Sequence, residues 1–120
     1  MSPVYKLWQG RNTEAWHQLS QEEQQRLLAR VAQAWDEAGG KKLVLCSAGW
    51  SNERWPYFGV EEFPDIEAVQ RHAKILAELN WARYFESRTT LGTQLTLPEG
   101  CLATLDADNK QLIVEESAFQ

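Results

Sequence analysis

Apolar and polar positions along this chain follow two periods in turn. Residues 4–9 alternate with period two and predict a first strand, ended by Gly10, Arg11 and Asn12. Asn12 or Thr13 then caps a short helical turn carrying Trp16 and His17. From Ser20 the period becomes helical. Ser20-Gln21-Glu22-Glu23 is a capping box, in which the Ser hydroxyl accepts the third backbone N–H and Glu23 reaches back. Leu27, Leu28, Val31, Ala34, Trp35 and Ala38 form one apolar stripe, and Gly39-Gly40 supplies the left-handed residue that closes the helix. Residues 42–50 predict a second strand, whose apolar run Leu43 to Cys46 suits a strand covered on both faces. Trp55 precedes Pro56 and is biased to extended backbone. Residues 57–63 predict a third strand. Pro64 stops it, Asp65 is a good N-cap, and a second long helix is expected over 66–80. Residues 84–90 predict a fourth strand.

The order strand, helix, strand, strand, helix, strand specifies a ferredoxin-like α+β sandwich, with two helices on one face of a four-stranded antiparallel sheet. The core domain is expected over residues 1–92. Residues 93–120 are expected to form an extension of the same domain, a β-hairpin turning at Asp106, Ala107, Asp108 and Asn109. The expected strand order is 4-1-3-2, which places strand one between Glu61 and Glu86 at a separation of about 10 Å. That is long for an acid–base dyad, so both read as interface charges. The expected side-chain alternation puts Tyr5, Leu7, Phe58, Val60 and Phe85 under the helices. Lys6, Trp8, Tyr57, Glu61, Tyr84, Glu86 and Arg88 are then left on the open face. Aromatics are rarely left exposed together on a monomer, so a homodimer through this face is expected.

Composition narrows the classes. With 120 residues there is room for one domain and a real core. The net charge of −5, with Lys and Arg scattered, disfavours nucleic acid. No leader-like apolar run and no membrane-length apolar stretch occur, so a cytoplasmic protein is expected. Cys46 and Cys101 lack metal-ligand spacing and read as simple thiols. Asp106, Asp108 and Asn109 lack the Gly and distal Glu of a calcium loop. No phosphate-binding loop, GxSxG or HExxH is present, and no resident cofactor is expected from the motifs.

The junction Tyr57-Phe58-Gly59-Val60-Glu61-Glu62-Phe63-Pro64-Asp65-Ile66-Glu67-Ala68, continuing to Gln70-Arg71-His72, resembles the dimeric α+β barrel superfamily. That group holds antibiotic-biosynthesis monooxygenases, stress-responsive barrels and uncharacterised relatives. The resemblance covers residues 3–92 and implies a pocket between the sheet and the helices of one subunit. It also implies a range of activities: cofactor-free oxygenation of phenols and quinols, haem degradation, sugar mutarotation and lactone isomerisation. In the haem-degrading branch a second-helix His ligates iron, beside an Asn on strand one and a Trp on strand three. His72 matches the first by location; residues 4–9 hold no Asn and residues 57–63 no Trp.

Three readings follow. The first is a small-molecule-binding protein, of the cofactor-independent monooxygenase kind, acting on an aromatic or quinol-like substrate. Its catalytic candidates are His72, Asn80 and Arg83, which can favour a substrate anion. Its ligand-binding candidates are Trp50, Trp55, Trp81 and Tyr84, near strand ends. The second is haem or metal binding through His72. The third is a non-catalytic dimeric module whose aromatics are structural.

Overall fold

The structure, a computed structural model, describes residues 3–98. It contains β1 (Val4–Asn12), α1 (Glu14–His17), α2 (Gln21–Ala38), β2 (Lys41–Ser47), β3 (Tyr57–Phe63), α3 (Ile66–Glu78), a 3₁₀ turn (Trp81–Arg83) and β4 (Phe85–Thr93). The strands form one antiparallel sheet in the order β2-β3-β1-β4, as the element order implies. The fold is thus a ferredoxin-like α+β arrangement, with α2 and α3 packed on one sheet face. The expected C-terminal hairpin, with Cys101, Asp106, Asp108 and Asn109, lies outside the described residues.

Local chemistry sets the helix ends. Ser20 Oγ accepts from the Glu23 backbone N–H at 3.1 Å, and Glu23 Oε1 accepts from the Ser20 N–H at 2.9 Å. Gly39 closes α2 with φ of 82°, a conformation open to glycine without steric cost. Asp65 Oδ1 accepts from the Ala68 N–H at 2.8 Å, a cap worth about 1 kcal/mol to α3. The core beneath the helices is built on Ala38, Phe63, Ala68 and Val69, with Val4, Trp35 and Ile75 packed against it. Arg71 Nη2 donates to the Ala38 carbonyl at 3.2 Å and ties α3 to the end of α2.

Several boundaries move for a common reason. β1 continues through Gly10, Arg11 and Asn12, because these residues pair with Tyr57, Glu86 and Phe85 on its neighbours. A central strand satisfies its backbone on both sides, and this outweighs the turn preference of Gly and Asn. α3 stops at Glu78 rather than at residue 80, since Asn80 adopts a left-handed conformation with φ of 57° that starts the 3₁₀ turn. β4 accordingly starts at Phe85 and not at Tyr84.

The larger correction concerns faces. Lys6, Trp8, Tyr57 and Glu61 point beneath the helices, together with Phe85, Ser87 and Thr89. The open face instead carries Tyr5, Leu7, Phe58, Val60 and Val44, joined by Arg11, Glu86 and Arg88. The assignment of β1 and β3 is therefore inverted relative to the expectation, while Phe85, Glu86 and Arg88 lie where it placed them. The cause is a hydrogen-bonded charge cluster under the helices, which makes Lys6 and Glu61 inward-facing. Glu86 pairs with Arg11 at 2.8 Å on the opposite side of the sheet, so Glu61 and Glu86 do not share a face.

Candidate functional site

The register of β1 on β3 places Lys6 opposite Glu61 and Trp8 opposite Gly59. Gly59 leaves room for the Trp8 indole to lie across β3, since a Cβ there would meet Trp8 Cζ2 at 2.7 Å. Lying so, Trp8 Nε1 donates to Glu61 Oε2 at 3.0 Å. Glu61 Oε1 stands 3.7 Å from the Lys6 ammonium, and Lys6 Nζ lies 3.4 Å from His72 Nδ1. His72 comes from the inner face of α3, between the Trp35 ring (centroids 6.2 Å apart, 12° interplanar) and the Phe63 ring (5.3 Å). Glu61 and His72 are 3% and 2% exposed, which makes this a buried polar cluster in a predominantly apolar setting.

The cluster lines a cavity of about 570 Å³ between the sheet and the helices. Trp16, Trp81 and Phe85 also line it. Trp81 and Phe85 stack with centroids 5.3 Å apart, Trp16 meets Trp81 edge-on at 6.1 Å, and Trp8 meets Phe85 edge-on at 5.6 Å. Leu28, Val31, Trp35 and Leu76 bound it on the helix side, and Leu45, Ser47, Tyr57 and Asn12 on the sheet side.

Electrostatics follow from burial. Desolvation, helped by the Lys6 charge, lowers the His72 pKa from 6.5 to about 4, so the imidazole is neutral at pH 7. Desolvation also lowers the Lys6 pKa, against the opposing pull of Glu61. With Nδ1 accepting from Lys6, His72 carries its proton on Nε2. That atom, Trp35 Nε1 and Glu61 Oε1 are buried without a hydrogen-bond partner. Unsatisfied buried polar atoms of this kind cost about 1–3 kcal/mol each and commonly mark functional positions.

Of the residues singled out from sequence, His72 and Trp81 line the cavity. The others do not join them. Trp50 is 89% exposed on the loop after β2. Trp55 is buried away from the cavity, covered by the guanidinium groups of Arg11 and Arg54 at 5.9 and 5.4 Å. Asn80 is exposed at the turn after α3. Arg83 is exposed with its guanidinium over Tyr84 at 5.9 Å, and its carbonyl accepts from Thr13 Oγ1. The residues passed over are Lys6, Trp8, Glu61, Trp35 and Trp16. Asn12 also belongs here: with β1 extended, strand one does contribute an Asn to the cavity. The available signal was a central strand alternating charged and aromatic residues opposite a Glu.

Among the described residues no group of three or more His, Cys, Asp or Glu side chains is placed to hold a metal ion, and no helix is long and apolar enough to cross a membrane.

Fold and cavity together define a ferredoxin-like α+β protein with a ligand-sized chamber between sheet and helices. The chain belongs to a family of unknown function, DUF6616, whose model matches residues 2–107. A search of the curated proteins gave no match. Among solved structures, two chlorite dismutase mutants from Candidatus Nitrospira defluvii are similar, each with a TM-score of 0.61. They are 21% and 22% identical over 79% and 80% of this chain. The chain spans about two-fifths of their length (41% and 42%). A protein of unknown function from Rhodopseudomonas palustris matches with a TM-score of 0.54 and 17% identity, covering 79% of this chain and 84% of that one. These neighbours have α+β barrel folds, and at such identities the likeness is one of fold.

The depressed pKa of His72 makes stability pH-dependent. Between about 4 and 6.5 the unfolded chain binds a proton that the folded protein does not. Stability therefore rises with pH across that window and is lost as pH falls through it. Urea midpoints measured across the window are expected to decline on acidification, and His72→Gln is expected to remove part of that decline. In the wild-type protein, ¹⁵N-resolved imidazole signals should show His72 neutral at pH 6.5.

Proposed function

We propose that this protein binds a flat aromatic small molecule of the phenol or quinol class in the cavity, with the Lys6–Glu61–His72 cluster at its hydroxyl. The carrying observation is a chamber of about 570 Å³ with indole walls and the buried polar cluster of Lys6, Glu61 and His72 in its lining. This is within the range of small-molecule sites, about 300–1,000 Å³. Indole and phenyl faces hold a planar ring by offset or edge contacts. In the cluster, Glu61 Oε1 lacks a hydrogen-bond donor and Lys6 is cationic, so a ligand hydroxyl donates to the first and accepts from the second.

The same arrangement supports the cofactor-independent oxygenase reading. The hydroxyl proton passes to Glu61, and Lys6 holds the resulting anion. A phenolate gives an electron to dioxygen far more readily than its phenol. His72, already neutral and weakly basic, orients Lys6 instead of acting as the base. Asn80 and Arg83 have no part in this version, since they stand outside the cavity.

Binding is tested by titrating 2-naphthol and following quenching of Trp emission. Saturable quenching is expected. Lys6→Met and Trp81→Ala should each weaken it about tenfold, equivalent to about 1.4 kcal/mol. Affinity unchanged in both variants would place the ligand elsewhere, and an oxygen electrode then separates binding from turnover.

Haem or a metal ion at His72 is the second reading. The neutral state of the imidazole favours it, and ligation through Nε2 requires the proton to move to Nδ1 and the Lys6 contact to be given up. Nε2 is covered in this conformation, so ligation requires the ring to turn towards the cavity. Haemin titration decides. A Soret shift lost in His72→Ala supports ligation, and the absence of a shift removes it.

The open sheet face completes the proposal, its occupant being a second copy of this chain. Val44, Val60 and Leu7 lie in one cross-strand row, with Phe58 and Tyr5 beside them, and no helix among the described residues covers them. Leu7 and Val44 are 46% and 42% exposed. A continuous apolar patch of this kind marks an interface. Two-fold pairing would bury it and bring the Arg11–Glu86 pairs and Arg88 to the rim. Light scattering at micromolar concentration should give the mass of two chains, and Leu7→Glu should give the mass of one. A wild-type monomer would refute the dimer.

A further inference from the structure

We infer that Lys6 is a carbonyl-reactive amine, which condenses with an aromatic aldehyde or ketone held in the cavity to form an imine. This rests on the reading of the cavity as a site for flat aromatic ligands and specifies a substrate class for it.

The position of Lys6 is difficult to explain as stability alone. Its side chain is 13% exposed, on a central strand, whereas Lys41 on the edge strand is 68% exposed. Lysine is seldom buried, and replacing a buried ion pair with apolar side chains is often neutral or stabilising. The pair with Glu61 is also loose. At 3.7 Å it leaves Glu61 Oε1 without a hydrogen bond, while Glu61 is separately anchored by Trp8. An amine bordered by apolar walls, a carboxylate and an imidazole is instead the arrangement in which lysine acts as a nucleophile. Burial also lowers the Lys6 pKa and so raises the fraction of free amine.

The step balances within these groups. Lys6 passes one proton to Glu61 across the 3.7 Å gap, giving a free amine and a neutral carboxyl. The nitrogen lone pair attacks the carbonyl carbon. The C–N bond forms, and the π pair moves to oxygen, which takes the proton from Glu61. The nitrogen, now cationic, gives a proton to His72 Nδ1, which lies 3.4 Å from Lys6 Nζ. His72 returns that proton to the carbinolamine hydroxyl, the C–O bond breaks, and water leaves. One amine and one carbonyl give one imine and one water, with no oxidant or reductant.

The test traps the imine on the full chain. The protein is incubated with 2-naphthaldehyde and sodium cyanoborohydride, and modified lysines are mapped by peptide mass spectrometry. Lys6 is expected to be alkylated at least tenfold faster than the exposed Lys41 and Lys74. Excess 2-naphthol should suppress labelling of Lys6 and leave Lys41 unchanged, a comparison made on wild-type protein that does not depend on a variant folding. Lys6→Arg, which keeps the charge, should remove the fast phase. Labelling of Lys6 no faster than of the surface lysines overturns the inference. If 2-naphthol still quenches Trp emission in that case, the aromatic-ligand reading stands and only the amine chemistry fails. If neither occurs, both fail.

Discussion

Lys6 and Glu61 face each other across the β1–β3 ladder, and the surroundings of both are consequences of that register. Two residues along, Trp8 meets Gly59, and the indole lies over the glycine to reach the same carboxylate. Because side chains alternate strictly, a slip of β1 by one residue would send Lys6 and Trp8 to the open face and bring Tyr5 and Leu7 inside. Glu61 would then face the helices without either partner, and the His72 cluster would not exist. The capped helix α3 supplies the remaining constraint by holding His72 above Lys6.

Such a cluster is costly. Charged groups removed from water lose several kcal/mol of solvation, and attraction at 3.7 Å recovers part of it. The structure limits that cost by keeping His72 neutral and by giving Glu61 an indole N–H. It also leaves a chamber beside the cluster rather than filling it. Glycine opposite Trp8 and the stacked Trp81–Phe85 pair keep large rings along the walls. Apolar walls, a buried ammonium and three unpartnered polar atoms thus occur together, an arrangement that gives up stability.

Much of the fold was legible because its signals are local. The Ser20–Glu23 capping box, the Asp65 cap and the left-handed Gly39 depend on residues within one turn of each other, and each forms as its sequence implies. Element order also implied the strand order. The site was legible only in part. His72 and Trp81 stand out by type and line the cavity. Trp50, Trp55 and Tyr84 stand out equally and do not, because their positions depend on how a loop and a turn fold against distant residues such as Arg11.

By itself, then, the sequence determined the elements, their caps and their order, all matters of near neighbours and simple periods. Tertiary structure decided which face of β1 and β3 was inside. Period-two alternation is symmetric between faces, and the usual tie-breaker, charge outward, misleads when a Lys and a Glu on paired strands meet a neutral imidazole from a helix. Lys6 lies 66 residues from His72 along the chain, and it meets Glu61 and His72 only after β1 has paired with β3 and α3 has folded across them. The same event assigned the apolar row Leu7, Val60 and Val44 to the uncovered side of the sheet.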